Sequence, residues 1–187
     1  SNVLVRNSSA NGMALGQSGT RNKSDIDIKG DSNRNAMAII QLGTRNEFIV
    51  DIDDDSDANF VAAQQLGRRN EIKMTSYNGG IDGGIDDDSN RNTVLISQSG
   101  MDNETEVEIE DYADDNLIIS VQRGSGNLIR EIEIEDDSNM NIAYVEQNGS
   151  DNEAEVNIDE YSNMNIAFVE QNGSDNEAEV NIDEYSS

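Results

Sequence analysis

Asn35, Met37, Ile39 and Gln41 alternate with residues of mixed polarity, LGTR breaks the alternation, and Asn46, Phe48, Val50 and Ile52 resume it. The same arrangement returns as Asn141, Ala143, Val145 and Gln147, then Asn152, Ala154, Val156 and Ile158. A period of two marks a half-buried strand, because successive side chains of an extended backbone point to opposite faces, whereas a helix spaces its apolar residues by three and four. Each unit therefore predicts strand, turn, strand, turn.

The unit repeats. N-x5-Q-x-G-x2-N occurs at Asn11/Gln17/Gly19/Asn22, Asn35/Gln41/Gly43/Asn46, Asn59/Gln65/Gly67/Asn70, Asn92/Gln98/Gly100/Asn103, Asn116/Gln122/Gly124/Asn127, Asn141/Gln147/Gly149/Asn152 and Asn165/Gln171/Gly173/Asn176. The first Asn returns after 24, 24, 33, 24, 25 and 24 residues. Ser138 to Tyr161 and Ser162 to Tyr185 are near-copies that differ only at Tyr144 and Phe168. Twenty-four residues leave about seven per strand and no room for a helical crossover, so successive units bury their apolar faces by coiling on one another. The expected fold is all-β: a two-sheet parallel β-solenoid forming one domain over residues 1–187. Its repeats are 11–34, 35–58, 59–91, 92–115, 116–140, 141–164 and 165–187, after a partial N-terminal coil at 1–10 with Val3 and Val5 inward. The nine-residue excess in the third repeat predicts a surface loop at 77–88, and the extra residue in NLIREIEIE predicts a β-bulge that displaces Ile132 and Ile134.

Composition changes what must hold such a stack together. Only 34% of the chain is hydrophobic and the formal net charge is −27, figures close to those of disordered chains. Burying an unpaired amide costs roughly 1 to 3 kcal/mol, so the inward Asn and Gln need partners. Coils stacked at ~4.8 Å allow each amide to donate to one neighbouring coil and accept from the other, forming ladders that add cohesion to a thin core. A second reading of the Asn positions is local hydrogen bonding at turns. The seven turn glycines, Gly19, Gly43, Gly67, Gly100, Gly124, Gly149 and Gly173, predict backbone with positive φ.

Charge also differs between the ends. Residues 1–91 carry 10 Lys/Arg against 14 Asp/Glu, a net of −4, and residues 92–187 carry 2 against 25, a net of −23. Arg21, Arg45, Arg68, Arg69 and Arg123 precede the second Asn in some repeats, and Asp102, Asp151 and Asp175 do so in others. Arg21 and Asp175 are therefore expected to meet where one copy docks head to tail on the next. Acidic runs at 51–57, 85–90 and 110–115 predict stacked like charges at the other turn. The stretch 78–88 invites two readings, a calcium site or a solvated acidic turn, but it lacks an iterated calcium-binding nonapeptide and an EF-hand loop. Leu117, Ile119 and Val121 face outward beside inward Ile118, which marks either lateral association or a strong strand. Tyr112, Tyr161 and Tyr185 are expected to cover the coil junctions.

The seven-fold N-x5-Q-x-G-x2-N resembles the curlin repeat of curli fibre subunits, S-x5-Q-x-G-x2-N-x-A-x3-Q, over Asn11 to Ile182. Asn stands for the opening Ser, and Ile28, Ile52, Ile109, Ile158 and Ile182 stand for the second Gln. The family's glycine-rich export segment is not visible. The resemblance implies a secreted, extracellular functional amyloid, a homopolymer of the biofilm matrix, with a nucleator subunit and export machinery as further partners. The alternative is a calcium-dependent acidic solenoid adhesin. An enzyme is not expected: Cys and His are both absent, the acids repeat at outward positions, and no catalytic residue, metal ligand or cofactor is assigned. The charge disfavours nucleic acid, and no apolar run approaches the ~18 residues of a membrane span.

Overall fold

The structure is a computed structural model that describes residues 2–5, 10–28, 32–52, 55–72, 85, 88–109, 111–159 and 161–182, with backbone alone at 2–5, 27 and 51. The first half of each repeat is a nine-residue strand: β2 (Gly12–Thr20), β4 (Ala36–Thr44), β6 (Phe60–Arg68), β7 (Thr93–Met101), β8 (Leu117–Ser125), β9 (Ile142–Ser150) and β10 (Ile166–Ser174). These seven form one parallel sheet in the order β10-β9-β8-β7-β6-β4-β2. The opposite wall holds β1 (Asn2–Val5), β3 (Asp25–Ile28) and β5 (Ile49–Ile52), ordered β1-β3-β5. The chain is the β-solenoid the repeat predicts, with the second sheet shorter than expected. Beyond β5 that wall continues through bridges, Ile52 to Ile85 to Ile109 and Glu104 to Leu128 to Glu153, and through backbone bonds such as Glu155 N–H to Ala178 O.

Register follows the motif without slippage. Gln41 pairs with Gln65, Gln65 with Gln98 and Gln98 with Gln122, so the 33-residue spacing is absorbed outside the seven-stranded sheet. Most of the expected loop at 77–88 lies outside the described residues, but Ile85 is buried in line with Ile52 and Ile109. The coil has thus resumed by Ile85. At the second irregularity Ile129, Ile132 and Ile134 are all buried, with Arg130 and Glu131 between the first two and Glu131 at φ 103°. That is the bulge expected from the extra residue: it restores inward isoleucines after the count has shifted.

The core is one line of side chains running up the stack. Each coil adds a few apolar residues, such as Met37, Ile39, Phe48, Val50 and Ile52, all at most 3% exposed. Each fully buried one contributes about 1.5 to 3 kcal/mol. A one-residue slip of any rung would turn these out and break the amide columns at the same time, so hydrocarbon and hydrogen bonding enforce the same register. On the N-terminal side β1 lies on β3, with Val3 paired to Ile26 and Val5 to Ile28, as the partial coil requires; the inward direction expected for Val3 and Val5 lies outside the described side chains.

Candidate functional site

The glutamines form an unbroken amide-to-amide ladder. The Nε2 of Gln17, Gln41, Gln65, Gln98, Gln122 and Gln147 each donates to the Oε1 of the glutamine in the next coil, at 2.5 to 3.1 Å. Every donor points the same way along the axis, because one rotamer repeats on identical backbone.

The first-Asn column departs from the ladder expected of it. The Oδ1 atoms of Asn11, Asn35, Asn59, Asn92, Asn116 and Asn141 accept the backbone N–H of the next Asn in the column, at 2.7 to 2.9 Å. Their Nδ2 groups donate to the carbonyl three residues earlier in that coil, from Ser32 O for Asn11 to Ser162 O for Asn141. Each side chain clamps the arc above it by its backbone; at a tight turn those peptide groups would otherwise lack partners. The second-Asn column mixes both modes. Asn22, Asn46 and Asn70 accept backbone N–H from the next coil, and from Asn103 onward Nδ2 also donates to Oδ1 of the preceding member, through Asn127, Asn152 and Asn176. Asn22 and Asn46 also donate four residues back, to Ser18 O and Leu42 O, so the local turn bonding coexists with the column.

A further column escaped the sequence reading. Asp57, Asn90, Asp114, Asn139 and Asn163 each accept the backbone N–H of the preceding member, beginning at Asn33, over 2.5 to 3.0 Å. Beside them Ser32, Ser56, Ser89 and Ser138 accept N–H groups from the following coil. The signal was available as S-[ND]-x-N before five of the seven nine-residue strands, in SNRN, SDAN and SNMN. The stack of like charges expected here is relieved only in part: in this column Asp57 and Asp114 alternate with Asn and pair with Arg34 and Arg91, whereas Asp55 and Asp88, and Asp111 and Asp136, hold matching places in adjacent coils. Arg91 also binds Asp115 at 2.7 Å, and that bond holds the Asp115 carboxyl below the usual carboxylate range.

The repeat glycines sit one residue inside the strand end rather than in the turn. Their φ values run from 112° to 134°, and a Cβ on any of the first six would lie within 2 Å of the next glycine's carbonyl oxygen. The turn itself is made by the residue before each Asn. Arg21, Arg45, Arg69, Asp102, Asp151 and Asp175 occupy one such column at φ 55° to 63°, with Gly126 in the fifth coil. Arg68 and Arg123 are not members: both lie on strands, and Arg123 pairs with Glu146. Where the column changes sign, Arg69 reaches Asp102 in the next coil at 2.7 Å. Tyr112 and Tyr161 hold similar left-handed positions at the opposite arc and are about half exposed; Tyr185 lies outside the described residues.

Both ends of the seven-stranded sheet are open among the described residues, at β2 and at β10. At the β10 end Gln171 is 5% exposed, and its Nε2 is buried without a hydrogen-bond partner. Asn165 Nδ2 is likewise buried and unpartnered. The interrupted donor direction is the one all six lower glutamines follow. Among the described residues no group of three or more His, Cys, Asp or Glu is placed to hold a metal ion. Comparison with known proteins yields no matching family model, no matching curated protein and no matching solved structure.

Proposed function

We propose that this chain is the structural subunit of an extracellular, curli-like functional amyloid, growing head to tail through its open rungs into fibres of a biofilm matrix. The observation that carries the reading is the buried, unpartnered Nε2 of Gln171 at one end of a ladder whose other end is Gln17. A second copy placed over β10 offers Gln17 Oε1 as the next acceptor and the backbone of its Asn11 arc for Asn165 to clamp. A buried amide donor left unpaired costs about 1 to 3 kcal/mol, which docking relieves. The internal Arg69–Asp102 pair supplies a pattern for the junction, since the same column brings Asp175 under Arg21 of the following copy. A head-to-head contact meets no such complement.

Purified chain imaged by electron microscopy without added metal should give unbranched fibres. Arg21→Asp and Asp175→Arg should each slow elongation by roughly three- to tenfold, as expected for about 1 kcal/mol at a partly exposed pair, and the double reversal should recover the rate. A folded monomer that persists at high concentration, or that folds only when calcium is supplied, would overturn the proposal in favour of a calcium-dependent binding module.

A further inference from the structure

The two outer walls of the solenoid differ in kind. The irregular wall is acidic: Glu104, Glu106, Glu108, Glu131, Glu153 and Glu155 all stand outside it. The Glu155 carboxyl is held above the ordinary carboxylate range, by desolvation first and then by the charges of Glu131, Glu179 and Glu153. The outer face of the seven-stranded sheet carries two columns without a charge. One includes Phe60, Leu117, Ile142 and Ile166; the other runs Ala38, Ala62, Leu95, Ile119, Tyr144 and Phe168. Ile166 and Phe168 are 69% and 63% exposed.

The second column is graded in size. Over β4 to β8 its small members leave a depression of 350 Å3 lined by Ala38, Ile40, Ala62, Leu95, Ile119 and Val121. Over β9 and β10 the rings of Tyr144 and Phe168 stack at 4.9 Å with 5° between planes and form a ridge. A two-fold axis parallel to the strands, passing between β7 and β8, sets β4 against β10, β6 against β9 and β7 against β8. Phe168 then lies over Ala38, Tyr144 over Ala62 and Ile119 over Leu95. The ridge of each copy enters the depression of the other, and the contact is isologous and closed.

We infer that this face pairs with the same face of a second copy of the chain in antiparallel orientation. Charge selects the partner and shape selects the direction. A molecule of net charge −27 approaches its like most easily through its uncharged columns. Parallel pairing about an axis along the ring column would set ridge on ridge and depression on depression; antiparallel pairing seats ridge in depression and places Glu146 and Glu170 opposite Gln64 and Ile40. The acidic walls remain outside, so association stops at two. Six rungs at ~4.8 Å and five residues at ~3.3 Å make a face of roughly 450 to 500 Å2. That is below the ~800 Å2 per partner of a stable interface, so single subunits pair weakly and linked subunits strongly. The pairing needs only the folded coil stack, so it can fail while the fibre proposal stands, and the reverse.

The chain has no cysteine, which makes the test direct. Chains carrying Ala62→Cys and Tyr144→Cys, each checked for native circular dichroism, are treated with a bis-maleimide reaching about 10 Å, the spacing of face-packed sheets. Mixed chains should give at least fivefold more cross-linked dimer than either chain alone, and Leu95→Lys in both should abolish it. Self-cross-linking of Ala62→Cys as efficient as the mixture would establish parallel contact and overturn the inference. So would yields no higher than those of a Glu155→Cys chain on the acidic wall.

Discussion

Replacing Gln98 by Met keeps the length of a side chain at the centre of the glutamine ladder and removes its hydrogen bonding. Gln98 is fully buried; it accepts from Gln65 at 3.0 Å and donates toward Glu71 O at 2.7 Å, Gln122 Oε1 at 2.9 Å and Thr105 Oγ1 at 3.2 Å. Two amide hydrogens shared among three acceptors, with one bond accepted, amount to about three bonds, each contributing about 1 kcal/mol net. Gln65 Nε2 retains Asn70 O, and Gln122 Oε1 retains Thr105 Oγ1, so neither neighbour is fully orphaned. The expected loss is about 3 kcal/mol. Gln17→Met at the exposed end of the same ladder breaks bonds that water replaces, and should cost under about 1 kcal/mol. Urea unfolding of dilute chain, followed by far-ultraviolet circular dichroism, reads both values. Equal losses at the two positions would refute the claim that burial within the ladder, rather than the amide itself, sets the contribution.

Two further outcomes are expected. Gly100→Ala places a Cβ 1.8 Å from the carbonyl oxygen of Gly124 at φ 128°, so the rungs must separate; the loss should exceed about 2 kcal/mol, whereas Gly12→Ala, with nothing within 4 Å, should change stability by less than about 1 kcal/mol in the same unfolding measurement. Glu133 has its carboxyl pushed up to about 10 by desolvation first and then by hydrogen bonds with Glu135 and Glu131. Its folded pKa lies above the unfolded value of about 4.3, so its unfavourable contribution grows as pH rises from there toward 10. Glu133→Gln should therefore raise the melting temperature at pH 8 and leave it nearly unchanged at pH 4; an equal shift at both would locate the effect elsewhere.

The coil period, the inward faces and the register were legible because identical columns repeat seven times and each repeat constrains the others. Which partner an inward amide takes was not. Gln sits mid-strand and faces its counterpart in the next coil, with carbonyls across the core such as Asn70 O and Glu71 O as further acceptors. Asn11 and its equivalents sit at an arc, where peptide groups lack partners and compete for the amide. The turn conformation was hidden for a related reason. Left-handed backbone is usually announced by Gly or Asn, yet here Arg45, Asp102, Met140 and Tyr161 adopt it. A cost of roughly 1 to 2 kcal/mol at each such residue is offset by the bonds that the following residue makes, an Asn after Arg45, Asp102 and Met140 and Ser162 after Tyr161. The second wall has no regular strand after β5, including at 152–158 and 176–182 where the period of 24 is kept, so spacing alone does not decide which wall is regular.

β1 rests on the very edge of β3 that a fibre of the proposed kind would have to reach. With β10 of one copy continued by β2 of the next, residues 177–182 arrive against that β3, and the two segments contend for the same row of peptide groups. Elongation of the proposed fibre would then be a displacement reaction, in which the incoming segment peels away the four-residue strand β1 as it zips on. Under that proposal a copy free in solution would carry its own stopper, and the tempo of growth would be set by how often those four residues let go.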